Sequence, residues 1–214
     1  MSWYTTRMII TYYGKQFMRV QFGDTVLAFN PISKDSKESV SRFGADIALV
    51  SLDHPDYAGV ESVTYNGKEP FTITGPGEYE VDGVYIKGYA VPTTCDGRER
   101  LNIVYIVALE QMTLVYLGAL HSGELSQELK EALDEVDVLF VPVGGGEVLP
   151  PDEAQKLANK LGARIVIPMD GDEKNMKQFL KEAGAEGVKS VDKATLKKKD
   201  IDGKEGEVIV LKKA

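Results

Sequence analysis

The chain has 214 residues, with 25 Lys plus Arg against 33 Asp plus Glu, for a formal net charge of -8. Hydrophobic residues make up 43% and charged residues 27%, which is ordinary for a soluble globular protein with a substantial core. The acidic balance argues against a protein that grips phosphate backbones. No apolar run approaches the ~20 residues of a membrane span. The one cysteine, Cys95, rules out an intramolecular disulfide and a multi-cysteine zinc cluster.

The first half reads as strands. Met8 to Tyr13 is apolar, β-branched and aromatic, Gln16 to Phe22 alternates, and Thr25 to Phe29 follows a Gly23-Asp24 turn. Asn30-Pro31 ends that strand, and Ile47 to Ser51 is a continuous apolar run of strand length. Thr72 to Ile73, Tyr79 to Val81 and Val84 to Tyr89 are short strands separated by Gly75-Pro76-Gly77 and Asp82-Gly83. Leu101 to Leu109 and Met112 to Leu117 form a further pair.

The period then changes. Leu125, Leu129 and Leu133 recur every four residues and predict a helix. Val138 to Val141 is a buried strand closed by Pro142. Pro151-Asp152-Glu153 opens a helix that stops at Gly162. Ile165 to Ile167 is a strand, Lys174 to Ala183 a helix, and Val208 to Leu211 a closing strand; Lys197 to Lys199 reads as a solvated turn or strand edge. Strands first and strand–helix alternation later suggest two packed sheets with helices outside, in one domain spanning 1–214 with 1–7 as an extension.

The segment Ala48 to Tyr57 runs a buried strand into a loop bearing Asp53, His54 and Asp56. Such a loop at a strand's carboxyl end is a usual place for a site, and imidazole with carboxylate suits a borderline cation. Gly144-Gly145-Gly146 reads as a flexible loop, without the Lys-Ser/Thr of a phosphate loop. Asp96 to Arg100 reads as a hairpin tip whose arginines reach toward any anionic ligand nearby. Glu78 and Glu80 share one face of a strand in a structural or solvent role. Cys95 near either of the two histidines, His54 and His121, lacks a placed third group for nucleophilic chemistry.

Those residues resemble the metallo-β-lactamase superfamily, and within it a small bacterial lactonase-like, Zn-dependent-hydrolase-like branch. Leu52-Asp53-His54-Pro55-Asp56-Tyr57 resembles the H-x-H-x-D-H signature, with Leu52 and Tyr57 at the first and last His. Tyr13-Gly14-Lys15 is similar to the branch's opening turn, with Lys in place of His. Asn30-Pro31 resembles its Asp-Pro, Gly75-Pro76-Gly77-Glu78 its glycine-rich strand signature, and Leu117-Gly118-Ala119-Leu120 its L-G-D-L. Val141-Pro142-Val143-Gly144-Gly145 matches V-P-V-G-G, and Ile167-Pro168-Met169-Asp170 resembles a closing I-P-M-H.

The resemblance implies an αβ/βα four-layer sandwich and, for the family, hydrolysis by a metal-bound hydroxide. It also implies metal positions at Leu52, His54, Asp56, Tyr57, Thr93, Ala119 and Asp170, of which only His54 and Asp56 keep the residue type and Asp170 keeps a ligating group. Two histidines cannot supply a histidine-rich binuclear centre. The leading expectation is therefore a pseudoenzyme-like, ligand-binding or assembly protein with no metal cofactor, its old pocket lined by Leu52, Tyr57, Thr93, Ala119, His121, Gly144 and Gly145. The alternative is a mononuclear hydrolase of phosphoester or lactone-like molecules, holding one Zn, Mn or Fe on His54, Asp56 and Asp170. Met1 to Met8 has no signal-peptide character, so the expected setting is cytoplasmic. Partners are expected to be a small-molecule ligand and a second copy of the chain, with no nucleic acid and no membrane.

Overall fold

The computed structural model describes residues 7–214; most of the 1–7 extension expected from the sequence lies outside the described residues. Two sheets face each other. The first holds β1 (Met8–Tyr12), β2 (Met18–Phe22), β3 (Thr25–Phe29), β4 (Ile47–Leu49), β5 (Phe71–Ile73) and β12 (Ala194–Leu196), in the order β12-β1-β2-β3-β4-β5. The second holds β6 (Gly77–Val81), β7 (Val84–Cys95), β8 (Arg98–Leu109), β9 (Met112–Tyr116), β10 (Val138–Pro142), β11 (Ile165–Met169) and β13 (Glu207–Val208), in the order β13-β11-β10-β9-β8-β7-β6. Each sheet joins antiparallel hairpins to a parallel block, β3-β4-β5 in one and β9-β10-β11-β13 in the other.

The inner faces supply one apolar cluster. Met8, Ile10, Val20, Leu27, Phe29, Ile47 and Leu49 meet Ile103, Tyr105, Tyr116, Phe140 and Ile167 there. β4, β10 and β11, inside the parallel blocks, are buried on both faces, as continuous apolar runs require. The Tyr105 hydroxyl ties the layers, lying 2.7 Å from the Val50 carbonyl and 3.0 Å from that of Ile73.

Outside the second sheet lie α1 (Gln127–Ala132), α2 (Pro151–Lys160) and α3 (Glu173–Glu182). Ser126 and Asp172 cap α1 and α3 by accepting backbone N–H bonds. Leu129, Leu157, Ala158 and Phe179 pack onto Val115, Leu139, Val141 and Val166. Over the first sheet the outer layer is the 30–70 segment with one 3-10 turn, Val60–Ser62, whose Ile32, Phe43 and Val63 cover Phe17, Ala28 and Ala48.

Three departures from the sequence reading have physical causes. β7 continues through Pro92 to Cys95, beyond the expected stop at Tyr89. β6 pairs only with 84–88, so Pro92 lies where β7 has no neighbour on that side, and its missing N–H costs no ladder bond. β12 has no counterpart in the sequence pattern, because three residues among lysines carry almost no periodicity; it pairs with β1, Met8 facing Leu196. The Lys197 to Lys199 run is not merely solvated. It leads into a short helix, α4 (Lys198–Ile201), and Lys198 Nζ bonds both oxygens of buried Asp137 at 2.9 and 2.8 Å.

Asp137 is the centre of a buried polar junction. Its carboxylate also takes the Arg164 guanidinium and the Thr113 backbone N–H. Burial pushes its pKa up, but these donors, Lys198 foremost, outweigh that and hold it below the usual carboxylate range. No helix among the described residues is long and apolar enough to cross a membrane.

Candidate functional site

The carboxyl ends of β3, β4, β9, β10 and β11 converge at one end of the sandwich, joined there by the β1–β2 turn. Asn30, directly after β3, is fully buried with φ 45°. Its amide accepts the Ser51 N–H at 2.7 Å and donates to Ser51 Oγ at 2.8 Å and Gln16 Oε1 at 3.0 Å. Gln16 then donates to Asp170 Oδ2 at 2.9 Å. This chain of bonds links the ends of β3, β4 and β11. Gly118 closes the same corner: a Cβ there would lie 2.4 Å from Asn102 Oδ1 and 2.5 Å from Ser51 Oγ, so only glycine fits.

Lys15 stands over this network. Its Nζ lies 3.7 Å from Asp170 Oδ1 and 3.8 Å from Asp56 Oδ2. Asp56 also accepts the Ser36 hydroxyl, and the Tyr57 hydroxyl approaches Asp170 Oδ2 at 3.5 Å. Burial raises the Asp170 pKa; Lys15 and Gln16 oppose the shift without cancelling it. The Tyr57 hydroxyl is pushed well above its usual range by burial, with the Asp170 charge adding to it, so it stays a neutral donor.

Beside the charges lies an apolar plug of Leu52, Tyr57, Cys95, Ala119 and Val148, all at most 7% exposed. Leu52, Tyr57 and Ala119 are the positions where the resemblance expected two histidines and an aspartate. A carboxylate at 119 would be costly to bury without a cation, whereas a methyl group fits an apolar plug.

The structure divides the expected site residues. Asp56, Asp170 and Tyr57 come together around Lys15. His54 does not join them: its Nε2 lies 3.2 Å from Asp96 Oδ2, and its Nδ1 accepts the Asp56 N–H at 3.2 Å. His54, Asp56 and Asp170 thus form no group of three whose ligating atoms lie within 4.8 Å; among the described residues that group is His54, Cys95 and Asp96. Thr93 is buried, and its hydroxyl donates to the Ala119 carbonyl at 2.9 Å. His121 lines a separate depression with Thr94, Arg100 and Leu101. Gly144 and Gly145 border a cleft of about 630 Å³ with Tyr12, Lys15, Tyr57 and Asp170.

Sequence reasoning missed Lys15, Gln16, Asn30 and Val148 as site residues. Lys15 carried a signal, a cation where the resembling branch has a histidine; Gln16 and Val148 carried none.

Leu52 and Ala119 offer no donor atom, the Thr93 hydroxyl is engaged, and the retained carboxylates already face an ammonium. These residues do not fit a binuclear centre, and a cation between Asp56 and Asp170 would have to displace Lys15.

Comparison with known proteins agrees with this geometry at the level of fold. The Beta-lactamase superfamily domain family matches residues 9–170. A metallo-β-lactamase superfamily protein of Thermotoga maritima, described as a Zn-dependent hydrolase, is 30% identical with a TM-score of 0.73; the match covers 95% of this chain and 98% of that one. A protein of Thermococcus onnurineus named as a metal-dependent hydrolase is 25% identical over 171 residues, 68% of this chain and 74% of the relative. A metallo hydrolase of Ignicoccus hospitalis shares the fold, with a TM-score of 0.62 at 18% identity, covering 90% of this chain and 99% of that one.

Proposed function

The chain belongs to the metallo-β-lactamase superfamily, and from its site we infer that it is a member whose inherited metal centre is replaced by an internal cation, acting as a small-molecule-binding protein. One observation carries this reading: Lys15 Nζ lies within 3.8 Å of both Asp56 and Asp170. The ammonium supplies the positive charge that the retained carboxylates require, and the plug fills the volume that ligands and water would take. The cleft beside it remains open, at about 630 Å³ the size of ordinary ligand pockets. Tyr12, Tyr57, Lys15 and Glu38 give it donors and charges of both signs for a polar ligand.

The second reading is a mononuclear metal-dependent hydrolase of phosphoester or lactone-like molecules on His54, Asp56 and Asp170. It is favoured by the names of the Thermococcus and Thermotoga relatives. It requires Lys15 to leave the carboxylates and His54 to turn away from Asp96.

Metal analysis and calorimetric titration with zinc, manganese and iron(II) separate the two. The binding-protein reading expects no metal whose retention depends on Asp170. One equivalent lost in both Asp56→Asn and Asp170→Asn, together with metal-dependent turnover of phosphoesters or lactones, would overturn it.

A further inference from the structure

The β7–β8 hairpin turns tightly at Asp96 and Gly97, with φ of 52° and 68° and Cys95 paired to Arg98. That turn sets Cys95 and Asp96 side by side at a fixed strand end. The β4 loop brings His54 against them. Arg100, on β8, donates to the Asp53 carbonyl at 2.8 Å and so fastens the histidine loop to the hairpin. Gly97 N–H reaches Glu147 Oε1 at 3.4 Å, which draws the loop after β10 over the same spot. A ring nitrogen of His54, Cys95 Sγ and a carboxylate oxygen of Asp96 all lie within 4.8 Å of one another.

The geometry points to a displaced, mononuclear binding site for a zinc-like divalent cation on His54, Cys95 and Asp96, at the rim of the plugged family centre. Only His54 is shared with the inherited positions. Thiolate, imidazole and carboxylate together form a zinc donor set, and three protein ligands leave a fourth position for water. The side chain of Asp96 is 66% exposed, so the cation enters from solvent, while Cys95 closes the inner side as part of the apolar plug.

Proton balance is simple. The Cys95 thiol, whose pKa burial raises, gives its proton to solvent as the sulfur–metal bond forms. If His54 ligates through Nε2, its ring proton moves to Nδ1. Nδ1 then gives up the Asp56 N–H bond it accepts, and Asp56 Oδ2, at 4.0 Å, is placed to take the ring N–H after a small shift, a carboxylate behind a ligating histidine. This site rests on the reading above in one respect: no cation between Asp56 and Asp170 competes for His54.

Cobalt(II) is the probe, because a cobalt–thiolate bond gives a near-ultraviolet charge-transfer band. The wild-type chain, freshly reduced, is titrated beside Cys95→Ser, Asp96→Asn and Asp170→Asn. Asp96→Asn alters an exposed turn residue and keeps the test sound if Cys95→Ser folds poorly. One equivalent with a charge-transfer band is expected. The band should vanish in Cys95→Ser, the affinity should fall about tenfold or more in Asp96→Asn, and Asp170→Asn should bind as wild type. No cobalt binding in the wild type overturns this site and leaves the binding-protein reading standing. Binding unchanged in both Cys95→Ser and Asp96→Asn overturns it equally. Binding lost in Asp170→Asn but kept in Cys95→Ser overturns both inferences.

Discussion

Lys15 and Asp170 come from opposite sheets, 155 positions apart (170 minus 15), and meet with Nζ 3.7 Å from Oδ1. The β1–β2 turn places the lysine, with φ 50° at Lys15 itself, and the end of β11 places the aspartate at φ 56°. Two residues in left-handed backbone therefore aim one ion pair across the mouth of the sandwich. Asp56 completes it from a third segment.

Removing the cation leaves two facing carboxylates short of a partner. Lys15→Met is expected to lower stability by about 1–2 kcal/mol, a modest figure because the ammonium is partly solvated. Adding Asp170→Asn should recover part of the loss. Urea unfolding of the four chains of this double-mutant cycle measures the coupling, and additive losses would argue against an internal ion pair.

The plug gives a second expectation. Leu52→Ala deletes a side chain only 2% exposed and should cost about 2–4 kcal/mol. Ala119→Asp, which places a carboxylate in the plug, should cost on the order of 1–3 kcal/mol or more for the buried polar group. Excess zinc should not restore the thermal midpoint of Ala119→Asp. Recovery with zinc would mean that the family centre is still able to form.

Asn30 is the uncharged hub of the site. Asn30→Ala leaves the Ser51 N–H and Gln16 Oε1 without their partner in a buried corner, and about 2–4 kcal/mol should be lost. Thermal unfolding should show the loss, and looser order at Asp170 should accompany it through Gln16.

Two aspartates should depend on pH in opposite directions. The pKa of Asp137 is lowered in the fold, so its stabilisation is present above its unfolded value of about 4 and is lost as pH falls through the folded value. The deficit of Asp137→Asn should therefore be largest near neutral pH and shrink in acid. The pKa of Asp170 is raised, so its contribution is fully present below about 4 and is lost as pH rises through the folded value. Relative to Asp170→Asn, the wild type should gain stability as pH falls from neutral. Chemical denaturation of the three chains across this range checks both signs.

Much of the architecture was legible because apolar period and turn dipeptides carry it. Thr25 to Phe29 and the helix opening at Pro151 stand where the pattern placed them. What failed was non-local. The three residues of β12 become a strand only because β1 offers them an edge, and Lys198 becomes structural only because Asp137 lies beneath it. At the site, the sequence marked Leu52, Tyr57 and Ala119 as changed positions. It could not show that they pack with Cys95 and Val148, nor that His54 turns toward Asp96 rather than Asp170.

The most direct test of the replaced centre is an anomalous diffraction map at the zinc edge from crystals equilibrated with zinc. The account expects Lys15 Nζ to remain between Asp56 and Asp170 with no peak there, and any peak to lie at His54, Cys95 and Asp96. A zinc peak bounded by His54, Asp56 and Asp170, with Lys15 turned away, would contradict it.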